Sequence, residues 1–288
     1  MRQLRPMASE LSLGITLAVL GAGVMHAGWN ALLKGGGGEP MFDTAGVVAA
    51  TSVWTLFLLP FVPFPPAIAW WFMAGSMTIH FGYYVTLGQA YRTGDLSFAY
   101  PLMRGTAPLI VAVLGAVALG ERPAGHIVMG IVLICGGIVS IAFVRRERHP
   151  PAAARWAFAN AGLIACYTLV DGAGARASGN ALGYVGWLLL FEGWPFLAWI
   201  YVRHRSRAVQ YIRNDWRRHL LGGLFSLCAY AIVLWAMTRA PVAAVAALRE
   251  TSVLFAALFG SVWLKEGFGP MRLAGAASVV AGIAALKL

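Results

Sequence analysis

Apolar residues fill this chain in long runs, with the polar residues mostly confined to short gaps between them. Residues 11–33 hold no acid or base except His26, and 123–144 none except His126. A helix needs roughly 20 apolar residues to cross the hydrocarbon core of a bilayer, so such runs predict membrane-spanning helices. Ten segments follow from the pattern: 11–33, 42–62, 66–90, 96–119, 123–143, 156–177, 181–202, 219–238, 241–263 and 269–286. Turn chemistry marks the breaks, in "KGGGGEP" (34–40), "VPFPP" (62–66), "GERP" (120–123) and "KEGFGP" (265–270). The four glycines 35–38 lack a following Lys-Ser/Thr, which argues against a phosphate-cradling loop.

Two arginines interrupt the apolar runs. "YPLMRGTAPLIV" (100–111) carries Arg104, and "VAALRETSVLF" (245–255) carries Arg249, 249 − 104 = 145 residues later. Shifting the chain by that interval without gaps superposes Thr106 on Thr251, Gly115 on Gly260, Glu121 on Glu266, Gly130 on Gly275 and Gly137 on Gly282. The same shift places His26 on Asp171. A register that holds Arg, Thr, Gly and Glu through two spans and a link predicts a duplicated five-span unit, with repeats at 1–148 and 149–288. Because five is odd, the second copy enters the membrane from the opposite side. Inverted repeats of this kind are typical of secondary transporters, in which exchanging the conformations of the halves alternates access.

Composition agrees: the chain is 59% hydrophobic and 11% charged, against about 25% charged for an ordinary soluble domain. The fold class expected is an all-α polytopic membrane protein. The net charge of +11 raises nucleic-acid binding as a reading, but the bases sit in links such as "VRRERHPPAAAR" (144–155) and "RHRSRAVQYIRNDWRR" (203–218). Short basic links belong beside anionic headgroups, so the lipid bilayer is the expected partner and nucleic acid is not. Cys135, Cys166 and Cys228 have no C-x-x-C spacing and the histidines no metal-ligand spacing, so neither a disulfide framework nor a metal site is expected. Arg2 and Arg5 before an apolar stretch resemble a signal peptide, but the stretch is long for one and reads as a retained first span.

"HAGWNALLK" (26–34), "GE" (120–121), "LRETSVLFAALFG" (248–260) and "KE" (265–266) resemble the drug/metabolite transporter superfamily, in particular its EamA-like members. The resemblance covers nearly the whole chain. It implies ten helices in a basket around a central cavity, moving metabolites, amino acids or drugs, often outward, and does not imply the substrate. "YPLMRGTAP" departs from the commoner uncharged fourth span. Counting bases in the links favours an external N-terminus, whereas the resemblance implies an internal one; both stay open.

A charge near the bilayer centre costs about 2.5–3.5 kcal/mol or more, so Arg104 and Arg249 need a reason. Snorkelling to an interface, pairing with the acids Glu250, Asp171 or Glu192, and facing a cavity as bidentate donors for a carboxylate or phosphate are the three readings. Pro101 and Pro108 flank Arg104 and predict a kinked, gate-like fourth span. His26, Trp29 and Asn30 in the first span, His80 and Tyr84 in the third, Tyr100 in the fourth, and Tyr167 with Asp171 in the sixth place polar groups at helical spacing. They line a cavity or make interhelical hydrogen bonds. Tyr184, Trp187 and Trp235 read as packing or interface anchors. The glycine pairs at spacing seven allow close packing within the fold or between the protomers of a homodimer.

The function expected is a secondary transporter, an exporter, of a small anionic or zwitterionic metabolite in a bacterial-type inner membrane. No cofactor is expected; Asp171 or Glu250 is a candidate proton carrier. The rival readings are a membrane-embedded enzyme acting on lipid-linked groups, for which no H-x-x-x-H, G-x-S-x-G or paired acidic motif is present, and a non-transporting assembly subunit.

Overall fold

The computed structural model describes residues 11–35, 39–94, 96–143, 150–256 and 270–288. All regular structure among them is helical: α1 (Leu13–Gly35), α2 (Pro40–Leu58), α3 (Ala67–Thr93), α4 (Leu96–Ala118), α5 (Gly125–Ala142), α6 (Pro151–Ser178), α7 (Ala181–Glu192), α8 (Trp194–Asn214), α9 (Trp216–Met237), α10 (Val242–Glu250) and α11 (Pro270–Ala285), with a single 3-10 turn at Leu59–Phe61. The "KE" at 265–266, the basic residues 144–149, Arg2 and Arg5 lie outside the described residues.

Local chemistry sets the ends. Pro40 and Pro151 open α2 and α6, where a missing N–H costs nothing and φ is already helical. Gly179 closes α6 in the left-handed region, at φ 70°, a conformation without penalty for glycine. The Asn180 side chain then accepts from the Gly183 N–H at 2.8 Å and caps α7.

Among the described residues, six stretches are long and apolar enough to cross a membrane: Leu13–Leu32, Met41–Phe61, Phe98–Ala118, Gly125–Ala142, Ala181–Asn214 and Trp216–Met237. α3 and α6 are also long, at 27 and 28 residues, but carry His80, Tyr83 and Tyr84, and Asn160, Asp171 and Arg176, which lower their hydropathy. Some of this polarity is matched between the two helices: Asn160 of α6 donates to the Tyr83 carbonyl and the Thr86 hydroxyl of α3, each at 2.9 Å. Large apolar side chains such as Leu17, Phe57, Trp71, Val113 and Val117 face outward and are exposed, as lipid contact requires. The chain is a multi-pass integral membrane protein.

Three expectations change. The basic stretch 203–218, read as a link, is helical almost throughout, because α8 continues to Asn214 and α9 begins at Trp216. The seventh segment is broken at Gly193, where Pro195 sits in the first turn of α8. The ninth breaks at Thr251, with helix resuming over 252–256; its remainder is outside the described residues.

The helix ends sort onto two faces. On one, Lys287 donates to the Leu11 carbonyl at 2.6 Å, Gly183 lies against the Pro63 carbonyl, and Arg176 meets Glu121 at 2.7 Å. Glu121 also accepts from the Val242 N–H at 3.0 Å, stabilising the positive end of α10. On the other, Gly94 packs on Ala153, and Asp43 accepts from Arg218 at 2.6 Å and His219 at 3.1 Å. Between the faces, α1 packs on α9, α3 on α6, α4 on α5, α6 and α10, and α5 on α11.

The α5–α11 contact is backbone to backbone. A Cβ on Gly137 would stand 2.6 Å from the Gly275 carbonyl oxygen, and one on Gly130 2.8 Å from that of Gly282. Ser278 donates to the Leu133 carbonyl at 2.8 Å. The glycine faces therefore serve packing within one chain.

Candidate functional site

α4 crosses α10 where each carries its arginine. Arg104 is 6% exposed, Arg249 6% and Glu250 1%, so neither guanidinium snorkels to an interface. Both converge on one carboxylate: Arg104 Nε lies 2.5 Å from Glu250 Oε2, and Arg249 Nη2 donates to Oε1 at 3.2 Å. The Arg104 contact is a close ion pair rather than an aligned hydrogen bond, since neither of its two atoms has a linear partner. Among the described residues, two cations and one anion share this buried crossing, an excess of one positive charge.

α4 runs through Pro101 and Pro108 as one continuous helix. Pro108 has no N–H for the carbonyl four residues back, which is that of Arg104. The break after Glu250 likewise interrupts α10 beside its acid. Gly23 of α1 packs against Thr251 at this break.

His26, Trp29, Asn30 and Tyr100 join this cluster. Arg104 Nη2 is 3.4 Å from His26 Nε2, and the Trp29 indole N–H is 3.3 Å from His26 Nδ1. Both neighbours can only donate, and a neutral imidazole accepts at one nitrogen. One of the two contacts is therefore unfulfilled in either neutral tautomer. Asn30 spends its amide on the His26 carbonyl, at 2.7 Å. Tyr100 lies under Arg104, with the guanidinium 5.9 Å from the ring centroid.

Asp171 and His80 form a second cluster. Asp171, fully buried, meets no arginine among the described residues; the Tyr184 hydroxyl donates to Oδ1 at 3.0 Å and that of Tyr230 to Oδ2 at 2.5 Å. The pairing expected of Asp171 with an arginine is thus replaced by two tyrosines. Tyr184, expected as a packing anchor, is a buried donor, and Tyr230 carried no sequence signal beyond being a lone tyrosine in an apolar run. His80 Nδ1 donates to the Ser76 carbonyl at 2.9 Å, which turns Nε2 toward Glu192 Oε1 at 3.4 Å. Tyr84 does not join them; its ring stacks on Phe196 at 5.2 Å.

Tyrosines bridge the clusters. Tyr167 stacks on His80 with centroids 4.1 Å apart, and both Tyr167 and Tyr230 lie within electrostatic reach of Arg249. A cationic pole at Arg104/Arg249 and an acidic pole at Asp171/Glu192 therefore share one buried polar zone. His26 and Asp171, equivalent under the 145-residue shift, sit one in each pole. Outside it, a cavity of about 560 Å³ between α3, α7 and α8 is lined by apolar and aromatic side chains including Trp70, Trp187, Phe191 and Trp194.

The family profile of EamA-like transporters matches residues 152–288. The match spans a little less than half of the chain. This EamA-like half contains Asp171, Arg249 and Glu250, and the family consists of transporters, in line with the resemblance to the drug/metabolite transporter superfamily. No curated protein matches the chain. A solved crystal structure, described only as that of a protein, superposes with a TM-score of 0.74 over 94% of both chains at 17% identity, which shows a shared fold and nothing of function. The fold of the whole chain is thus shared beyond its EamA-like half.

Proposed function

We propose that this chain is a secondary transporter that exports a small anionic or zwitterionic metabolite, such as an amino acid, across a bacterial-type inner membrane. The observation that carries the proposal is the charge count where α4 crosses α10: two buried guanidinia face one carboxylate. An unbalanced buried cation is costly, and a ligand carboxylate or phosphate supplies the missing anion with bidentate geometry. Glu192, in the acidic pole, gives the ammonium of a zwitterion a counter-charge, which favours an amino acid over a simple anion.

The mechanism we propose is alternating access by two inverted five-helix repeats, 1–148 and 149–288, forming ten spans around a central cavity. The α5–α11 crossing supports it: under the 145-residue shift, the Gly137–Gly275 contact maps onto Gly282–Gly130, and Ser278 maps onto Leu133 itself. The arginine of each repeat would close the cavity toward one side when it takes Glu250, and release it when ligand takes the arginine. A proton carried on Asp171 is the proposed coupling ion.

Flux in proteoliposomes tests this. Amino-acid counterflow is expected with the wild type and lost by at least about tenfold in Arg249→Gln. In Asp171→Asn, counterflow is expected to survive while accumulation driven by an imposed pH gradient fails. Counterflow in Arg249→Gln equal to wild type would count against the site. Pumping by Asp171→Asn would remove the proton assignment.

A further inference from the structure

The basic stretch 203–218 does more than punctuate two spans. The backbone leaves the helical region at Arg205, with φ 40° and ψ −123°, a conformation that strains any residue but glycine. α8 is thereby divided into a part continuing from the membrane and a separate segment of about two and a half turns ending at Asn214. That second part packs one side on α2. Ala208 is buried and Tyr211 and Ile212 half-buried, at i, i+3 and i+4, and they pack with Phe42 and Ala45 of α2. Arg213 on this part is exposed, as are Arg203 and Arg205 at the end of the first part and Arg217 in the first turn of α9.

The stretch has six arginines and one acid. Arg207 pairs with Glu39 and Arg218 with Asp43 and Asp215. The other four have no acid partner among the described residues; Arg217 lies over the Trp216 ring instead. Exposed Trp199, Tyr201, Val202, Val209 and Trp216 accompany them. Aromatic and aliphatic side chains beside unpaired arginines form an interfacial amphipathic surface, here held rigidly against α2 by a buried apolar patch and ion pairs.

We infer that the arginine face of residues 203–217 is a docking surface for anionic phospholipid headgroups. Four guanidinia without acid partners, spread over the end of α8 and the start of α9, match clustered phosphates by charge and by hydrogen-bonding geometry, and the exposed rings match the level just beneath. The occupied surface would brace the junction of α2, α8 and α9, because Asp43 of α2 is held by Arg218 and by His219, buried at the start of α9. This inference concerns an outer surface and stands apart from the proposed substrate site.

Native mass spectrometry of the full chain, exchanged into detergent micelles holding equal phosphatidylglycerol and phosphatidylcholine, tests it. Wild type should retain phosphatidylglycerol preferentially. R203Q/R205Q/R213Q/R217Q should lose that preference by about tenfold or more, whereas R122Q/R239Q, on the opposite face, should keep it. Because Arg205 occupies strained backbone, R213Q/R217Q, which leaves it intact, should show a smaller loss in the same direction. Equal retention of the two lipids by wild type, or an unchanged preference in both the fourfold and the double variant, would overturn the inference.

Discussion

Glu250→Gln is expected to destabilise this protein far more than either Arg104→Gln or Arg249→Gln. The reason is the imbalance at the crossing of α4 and α10. Glu250 is the carboxylate that both guanidinia reach, at 2.5 Å from Arg104 and 3.2 Å from Arg249. Removing its charge leaves two buried cations facing each other with no anion, and breaking a buried ion pair costs about 3–5 kcal/mol. Removing one arginine leaves a matched pair, at a cost closer to the roughly 1.5–3 kcal/mol of a hydrogen bond to a charged group. Thermal unfolding of the three variants in one detergent reads the difference directly. An Arg104→Gln variant as destabilised as Glu250→Gln would mean that the cluster carries no spare positive charge. The proposed reason for an anionic ligand would then disappear.

The second large effect is expected at the α5–α11 crossing. Gly137→Val places its side chain where even a Cβ would lie 2.6 Å from the Gly275 carbonyl oxygen and 3.0 Å from the Ser278 Cβ. The first obstacle is backbone, so no rotamer change relieves it, and the helices must separate. Overpacking costs typically about 1–3 kcal/mol, and here separation also removes the Ser278–Leu133 hydrogen bond. Gly136→Val, one position away, is the control, because a Cβ at Gly136 meets nothing within 4 Å. Folded yield and unfolding temperature should fall sharply for Gly137→Val and stay near wild type for Gly136→Val. Equal behaviour of the two would show that the close crossing is dispensable.

Much of this was legible in the sequence because apolar runs and helical spacing are local properties. Arg104, Arg249 and Glu250 stood out because charges in apolar runs demand partners, and the interval of 145 residues tied two distant stretches together. What sequence could not supply was the choice among acids. Glu250, Asp171 and Glu192 all sit in apolar runs, and only the crossing of α4 with α10 gives both arginines to Glu250. The tyrosines of α7 and α9 take Asp171 for the same kind of reason: partners on different helices are set by packing, which no local spacing encodes. The stretch 203–218 misled because its charge resembles that of a loop. Its pattern of Ala208, Tyr211 and Ile212 was helical, but too short to register against six arginines. Asp43 and His219, 176 residues apart, gave no joint signal at all.

The central claim is that the spare buried guanidinium receives a ligand anion. The most direct measurement is thermal stabilisation of purified wild type, Arg104→Gln and Arg249→Gln by a panel of amino acids, simple carboxylates, phosphate esters and organic amines. The account predicts that at least one carboxylate- or phosphate-bearing compound raises the unfolding temperature of the wild type. It also predicts that both variants, still folded, lose that rise. Stabilisation of the folded variants by the same compound to the same extent, or stabilisation of wild type by amines alone, would contradict it.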